Sequence, residues 1–248
     1  MATNNVINQS NPASVSDGGT GIDTMGVAYG VLCSGTTATG PLLVTSPGTA
    51  GQVLTSNGNA ASPTYQNVGA GTGAWVLIST QDAASSATVD FANLLTNTYR
   101  YYKIVAFNVV PATNGVDFYM RFGTGATPTW VSANYQWSGV VGNSAGNPAT
   151  SGSASDAQMI LNNTVSTLSN TAAKGCNFVV DIFDPSNASY AKNASCMFDG
   201  WTSGTTGNNI VVSAGSYNVT GAISSVRFLT SSGNISTGKF QLWGLNGS

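Results

Sequence analysis

The sequence predicts an all-β chain in two parts: an extended N-terminal segment that intertwines with further copies of itself, then a C-terminal antiparallel β-sandwich of jelly-roll type. Three observations carry this. Good helix formers are scarce, since Glu is absent and Lys and Arg together number 7 in 248 residues, while Thr, Val and Ser abound. From Trp75 onward, short runs of β-forming residues recur between Gly, Pro, Asn and Asp turn signals. The third observation is a break in composition near residue 74. Residues 1 to 74 hold no Lys, Arg, Trp or Phe and only two acids, Asp17 and Asp23; every basic residue and all 5 Trp and 9 Phe lie beyond.

In the N-terminal part, turn signals such as Ser34-Gly35-Thr36, Thr39-Gly40-Pro41, Pro47-Gly48-Thr49 and Ser56-Asn57-Gly58 separate apolar runs as short as Leu42-Leu43-Val44 and Val53-Leu54. Strands this short cannot enclose a core within one chain, so the segment needs other copies. The competing reading is a flexible Gly/Ser/Thr linker. Met1 to Ser16, rich in Asn and Ser, reads as an arm that orders only against a partner. The domain scheme is therefore 1–16 arm, 17–74 shaft and 75–248 head.

The head reads strand after strand. Trp75 to Ser79 opens it, and Tyr99 to Pro111 follows with alternation closed by a proline. Val116 to Phe122, Asp156 to Leu161 and Asn177 to Phe183 come next, the last running into the turn Asp184-Pro185-Ser186-Asn187. Ser195 to Trp201, Asn209 to Ser213, Ser224 to Leu229 and Gly238 to Leu245 complete the set. No βαβ rhythm is visible, which favours a sandwich. Ala133 to Ser155, polar and rich in Gly, Ser and Asn, reads as a long surface loop of the kind that carries binding.

Composition also excludes chemistry. With no His, a Ser-His-Asp triad and His-ligated zinc are impossible, and with no Glu the Glu-dependent glycosidases and metalloproteases fall away. The expectation is no enzyme and no cofactor. Net charge is −2, charged residues are 6% of the chain against roughly a quarter in an average domain, and no Lys/Arg cluster occurs. That argues against nucleic acid and anionic membranes as partners. No apolar run approaches the roughly 20 residues of a membrane helix, and the start MATNNVINQS lacks the basic and apolar regions of a signal peptide.

Cys33, Cys176 and Cys196 have no metal-ligand spacing and read as small buried hydrophobes, although a Cys176–Cys196 bridge between neighbouring strands is conceivable. Asp181 and Asp184, with Asp199 on the next strand, lack the alternating acidic loop of a calcium site and read as structural. The candidate contact residues are Trp130, Tyr135 and Trp137, whose rings around the long loop suit stacking on a sugar; the alternative is that they plug the end of the sandwich.

Several stretches carry a resemblance. Gly18-Gly19-Thr20-Gly21, then Gly35-Thr36-Thr37 through Gly40-Pro41-Leu42, SPGTAGQVLTSNG at Ser46 to Gly58 and Pro63-Thr64-Tyr65-Gln66 are similar to the motif that precedes the C-terminal head in fibre proteins of tailed bacteriophages. VPATNGVDFYMRF at Val110 to Phe122, NYQW at Asn134 to Trp137 and SSGNISTGKFQLWGL at Ser231 to Leu245 resemble the terminal module of such proteins. The resemblance implies a homotrimeric virion protein, trimerised through the shaft and docked on other virion proteins by its N-terminus. It brings no catalytic residues. A tail fibre or receptor-binding protein that meets a host surface glycan is the leading expectation. A capsid decoration or head fibre is the alternative, and a carbohydrate-binding module or spike enzyme the third.

Overall fold

The computed structural model describes residues 28–34, 42–59, 61–67, 73–144, 146, 148–164, 167–203 and 207–247. The arm expected at Met1 to Ser16 and the Gly18–Gly21 signal lie outside the described residues. The chain divides into two compact units, Met1–Gly69 and Ala70–Ser248.

The first unit holds two small antiparallel pairs, β1 (Leu32–Cys33) with β2 (Leu43–Val44) and β3 (Gln52–Thr55) with β4 (Thr64–Asn67). Gly and Pro interrupt the chain every few residues, and among the described residues of this unit no strand exceeds four. Among the described residues of this unit, no apolar side chain is buried, and Val31, Leu32, Leu43, Val53 and Leu54 are exposed. One close approach shapes it: a Cβ on Gly48 would come within 2.6 Å of the Tyr65 ring.

The second unit is an all-β, antiparallel sandwich. Its larger sheet has eight strands in the order β11 (Ala149–Asp156), β10 (Tyr135–Asn143), β15 (Asn208–Tyr217), β14 (Lys192–Trp201), β13 (Cys176–Phe183), β7 (Tyr101–Pro111), β17 (Ile235–Leu245) and β5 (Trp75–Ser86). The smaller sheet runs β12 (Met159–Ile160), β8 (Phe118–Thr124), β16 (Ser225–Thr230), β6 (Val89–Phe91), with β9 (Thr129–Trp130) paired to β8.

Strict alternation builds the interface between the layers. Phe118, Met120 and Phe122 of β8 and Val226 and Phe228 of β16 point inward, as do Tyr102, Ile104 and Ala106 of β7 and Phe178, Val180 and Ile182 of β13. At the centre, rings from the two sheets meet: Phe118 lies 5.2 Å from Phe178, and Phe228 lies 5.6 Å from Phe178 and 5.7 Å from Phe240. Buried aromatics of this size, clustered at these spacings, supply both the apolar area and the edge and offset contacts that fix a unique packing.

Most strands expected from Trp75 onward form, with shifted ends: β5 runs on to Ser86, β14 begins at Lys192, and β15 extends to Tyr217, whereas the strand expected at Asp156 to Leu161 is divided between the end of β11 and the two-residue β12. The expected loop Ala133 to Ser155 is a correction. It is mostly the hairpin of β10 and β11, in register from Val141 opposite Ala149 to Trp137 opposite Ser153, with a register shift before Tyr135 opposite Asp156. Tyr135, Trp137, Gly139 and Val141 alternate inward, and the outward Gln, Ser, Gly and Ala of the hairpin made its composition resemble a loop.

The conceivable disulfide is also corrected. Cys196 sits opposite Val180, and Asn177, next to Cys176, sits opposite Asp199, so the register keeps the two sulfurs apart and both thiols are free. Both are fully enclosed, and burial pushes their pKa values well above the ordinary thiol range. They are inert packing groups.

Candidate functional site

The outer face of the larger sheet is where side chains with binding chemistry gather. Because adjacent strands are antiparallel and in register, outward residues line up in rows across the sheet. One row reads Gln136, Ser216, Asn193, Phe183, Tyr101, each directly opposite the next on β10, β15, β14, β13 and β7. The next reads Ser138, Ala214, Ser195, Asp181, Lys103, Trp243, Leu77. A third reads Thr150, Val140, Val212, Met197, Val179, Val105.

The first two rows make a shallow depression of about 620 Å³, floored by Ser138, Ser195, Ala214 and Ser216, flanked by Gln136 and Asn193, and closed at one end by Phe183. A neighbouring depression of about 570 Å³ shares Ser138, Ser195 and Ala214 and runs on to Val140 and Val212. Apart from Phe183 and the largely buried Trp137, the first depression is lined by hydroxyls, amides and small residues, with no ionised group.

Beyond Phe183 the face turns aromatic. Tyr101 stacks on Phe183, and Trp75 meets Tyr101 edge-on with centroids 5.0 Å apart. Lys103 ties this cluster together: its Nζ sits 5.1 Å from the Trp75 ring centre and 3.1 Å from Asp181 Oδ1. The Tyr101 hydroxyl donates to the same carboxylate oxygen at 2.8 Å. Burial first, then the hydrogen bond and charge of Asp181, push the Tyr101 pKa up to about 12, so it stays a neutral donor. The cluster is a rigid platform with its charges mutually satisfied.

Chemically, this arrangement can hydrogen-bond and stack, and it holds no paired nucleophile and base. Asp181 is held by Lys103 and Tyr101, while Asp184 closes the strand end, 3.1 Å from Arg100 Nη2 and accepting from Asn187 Nδ2 at 2.9 Å. Arg100 and Asn187 hold the Asp184 carboxyl below the usual carboxylate range. Asp199 lies opposite Asn177, at the far end of β13 from Asp184. Among the described residues no group of three His, Cys, Asp or Glu converges as metal ligands would.

The sequence-expected platform falls elsewhere. Tyr135 is 1% exposed: its hydroxyl accepts the Phe122 N–H at 2.7 Å, and its ring lies 6.2 Å from Phe122. Trp137 is 5% exposed and its Nε1 donates to Asp156 Oδ2 at 2.9 Å. Trp130 is half-buried, with the Arg227 guanidinium 4.1 Å from its ring centre on one side and Gly123 against its six-membered ring on another. Tyr135 and Trp137 offer no free ring face, so the alternative core reading holds for those two. What sequence reasoning missed was Phe183 and Tyr101. The signal was present in principle: in NFVVDIF, Phe183 falls on the same face as Asp181 and opposite to the buried Ile182.

Comparison with family models, with curated proteins and with solved structures finds no match in any of the three.

Proposed function

We propose that this chain is a non-catalytic virion structural protein of the tailed-phage fibre type, trimeric through its N-terminal unit, whose C-terminal sandwich is a recognition head for host surface glycans. The observation that carries the reading is the outer face of the eight-stranded sheet, where an uncharged trough of hydroxyls and amides ends on an exposed phenylalanine. Sugars present alternating C–H faces and hydroxyls, and that combination meets them without any charge. The exposed leucines and valines of the first unit, in strands too short for a core, support assembly with further copies. The motif from Ser46 to Gly58 supports the fibre assignment.

A capsid decoration protein is the second reading, favoured by the same low charge and by the single copy of the shaft motif. Labelled antibody against the head, imaged on intact particles, separates the two by where the label falls, and particles without label would remove both. For recognition, the full chain is screened against a panel of bacterial surface glycans alongside Phe183→Ala. Binding that disappears in the variant, at unchanged fold, supports the trough; equal binding by both proteins, or none by either, rejects it.

A further inference from the structure

On the outer face of the larger sheet, the trough has an apolar neighbour. Side chains two apart on a strand share a face, so outward rows lie about 7 Å apart and run across the strands. On one side of the floor row Ser138, Ala214, Ser195 stand the polar Gln136, Ser216 and Asn193. On the other side stand Val140, Val212 and Met197, each directly opposite the next on β10, β15 and β14. They are 52%, 56% and 64% exposed, and Ile210, two residues before Val212 on the same face of β15, is 58% exposed. Threonine would serve a solvent-facing strand position as well, and Thr abounds in this chain, so strand formation alone does not call for a row of bare apolar side chains. Contiguous apolar surface rimmed by polar residues marks a site of contact.

What meets this row is decided by its connection to the trough. The hollow of about 570 Å³ that has Val140 and Val212 in its lining shares Ser138, Ser195 and Ala214 with the trough. A ligand seated on that floor therefore meets amides along one edge and methyl groups along the other, the two edges about 14 Å apart. A flat protein face laid over the valines would also close off the serine hydroxyls of the floor, at the cost of desolvating them. Across β10, β15, β14 and β13, strands about 4.8 Å apart make the groove about 14 Å long, room for roughly three sugar rings.

We infer that the groove takes a glycan whose sugars carry methyl-bearing substituents, either acetamido groups or the methyl of a deoxyhexose, with its hydroxyl-rich edge on Gln136 and Asn193 and its methyls on Val140, Val212 and Met197. The inference rests on the glycan reading of the trough and adds the class of sugar. A plain hexose presents hydroxyls on both edges, and laying one of those edges on the valines strips it of water without returning a hydrogen bond. A methyl group there gains from the same burial. An acetamido group suits the groove further, since its amide can bond a floor hydroxyl while its methyl reaches the apolar row.

The test titrates the intact protein with matched sugars, followed by nuclear magnetic resonance. Tri-N-acetylchitotriose is compared with cellotriose, which shares its linkage and lacks the acetamido groups, and quinovose with glucose, which differ by the deoxy methyl. One methyl seated on the apolar row should tighten binding about fourfold, and several in one trisaccharide about tenfold or more. A preference in either pair supports the inference, and which pair shows it names the source of the methyl. Val140→Thr with Val212→Thr, isosteric changes at exposed positions, should bring that preference toward one, whereas Phe183→Ala should weaken both members of the pair. Equal binding within both pairs, or a preference that survives the double threonine variant, overturns the inference and leaves the trough reading in place. Binding of none of the four sugars also overturns it, and the trough reading is then decided by the glycan panel. A double variant that sediments differently from the wild type while keeping its sugar preference assigns the row to a second copy of the chain instead. The wild-type comparison within each pair stands without any variant.

Discussion

Phe183 on β13 and Tyr101 on β7 face each other across the strand pair, ring centroids 5.0 Å apart and planes 28° from parallel, while the Tyr101 hydroxyl is anchored on Asp181. The stack therefore holds the exposed Phe183 ring at the end of the trough in one orientation, where a free surface phenylalanine would sample several rotamers. Preorganisation of this kind lowers the ordering cost of a shallow contact.

Phe183→Ala should lose most glycan binding yet cost the fold only about 1 kcal/mol, the value of one aromatic pair at a half-exposed position. Tyr101→Phe, which keeps the ring and drops the Asp181 hydrogen bond, should bind at an intermediate level. Binding isotherms and thermal melts on both variants check this; a large loss of stability in Phe183→Ala would make the ring a core element.

Tyr135 and Trp137 should behave in the opposite sense. Truncating either to Ala removes a buried ring, at about 3–5 kcal/mol. Tyr135→Phe leaves the Phe122 N–H without its acceptor, at about 1–3 kcal/mol. Chemical denaturation gives these values directly, and a near-neutral result for Trp137→Ala would contradict its packing.

Gly200→Ala should destabilise the head by about 1–3 kcal/mol through overpacking. A Cβ there would lie 2.7 Å from Cys176 Cβ and 3.1 Å from Phe198 Cε1, between two strands whose backbones cannot separate without breaking their ladder. Cys176→Gly in the same chain should recover part of the loss, and a double-mutant cycle measures that coupling.

The head should lose some stability as pH rises just above the ordinary carboxylate range, because burial raises the Asp117 pKa above its unfolded value. For an acid shifted this way, the folded state binds the extra proton between the two pKa values, so raising pH through that window works against folding. Asp117→Asn keeps an acceptor for Asn162 Nδ2 and should flatten this slope and raise stability slightly at neutral pH. Asp184 contributes with the opposite sign, its depressed pKa giving stability that is lost only as pH falls through the folded value. Melts from pH 3 to 7 on the wild type and Asp117→Asn separate the two.

Leu43→Ser with Leu54→Ser should dissociate the proposed trimer while leaving the head's melting transition in place, since both side chains are exposed on the first unit and belong to none of the head's core. Sedimentation of wild type and double variant checks this, and a wild type that sediments as a monomer at micromolar concentration removes the trimer.

The all-β class and most strands of the head were legible in the chain because period-2 patterning is a local property: Tyr101 to Pro111, Phe118 to Thr124 and Cys176 to Phe183 announce which side chains turn inward from their neighbours alone. Composition likewise marked the first part as lacking core residues. The β10–β11 hairpin was not legible, because Ser, Gly and Asn carry turn signals wherever they stand and only pairing with β15 makes them strand. For the same reason the rows Gln136 to Tyr101 and Arg121 opposite Arg227 exist only in the register, which joins residues far apart in the chain through backbone hydrogen bonds that no local pattern encodes. Burial decided the rest: an aromatic reads alike in sequence whether it ends as Tyr135 under Phe122 or as Phe183 at the surface, since its fate depends on which second sheet covers it.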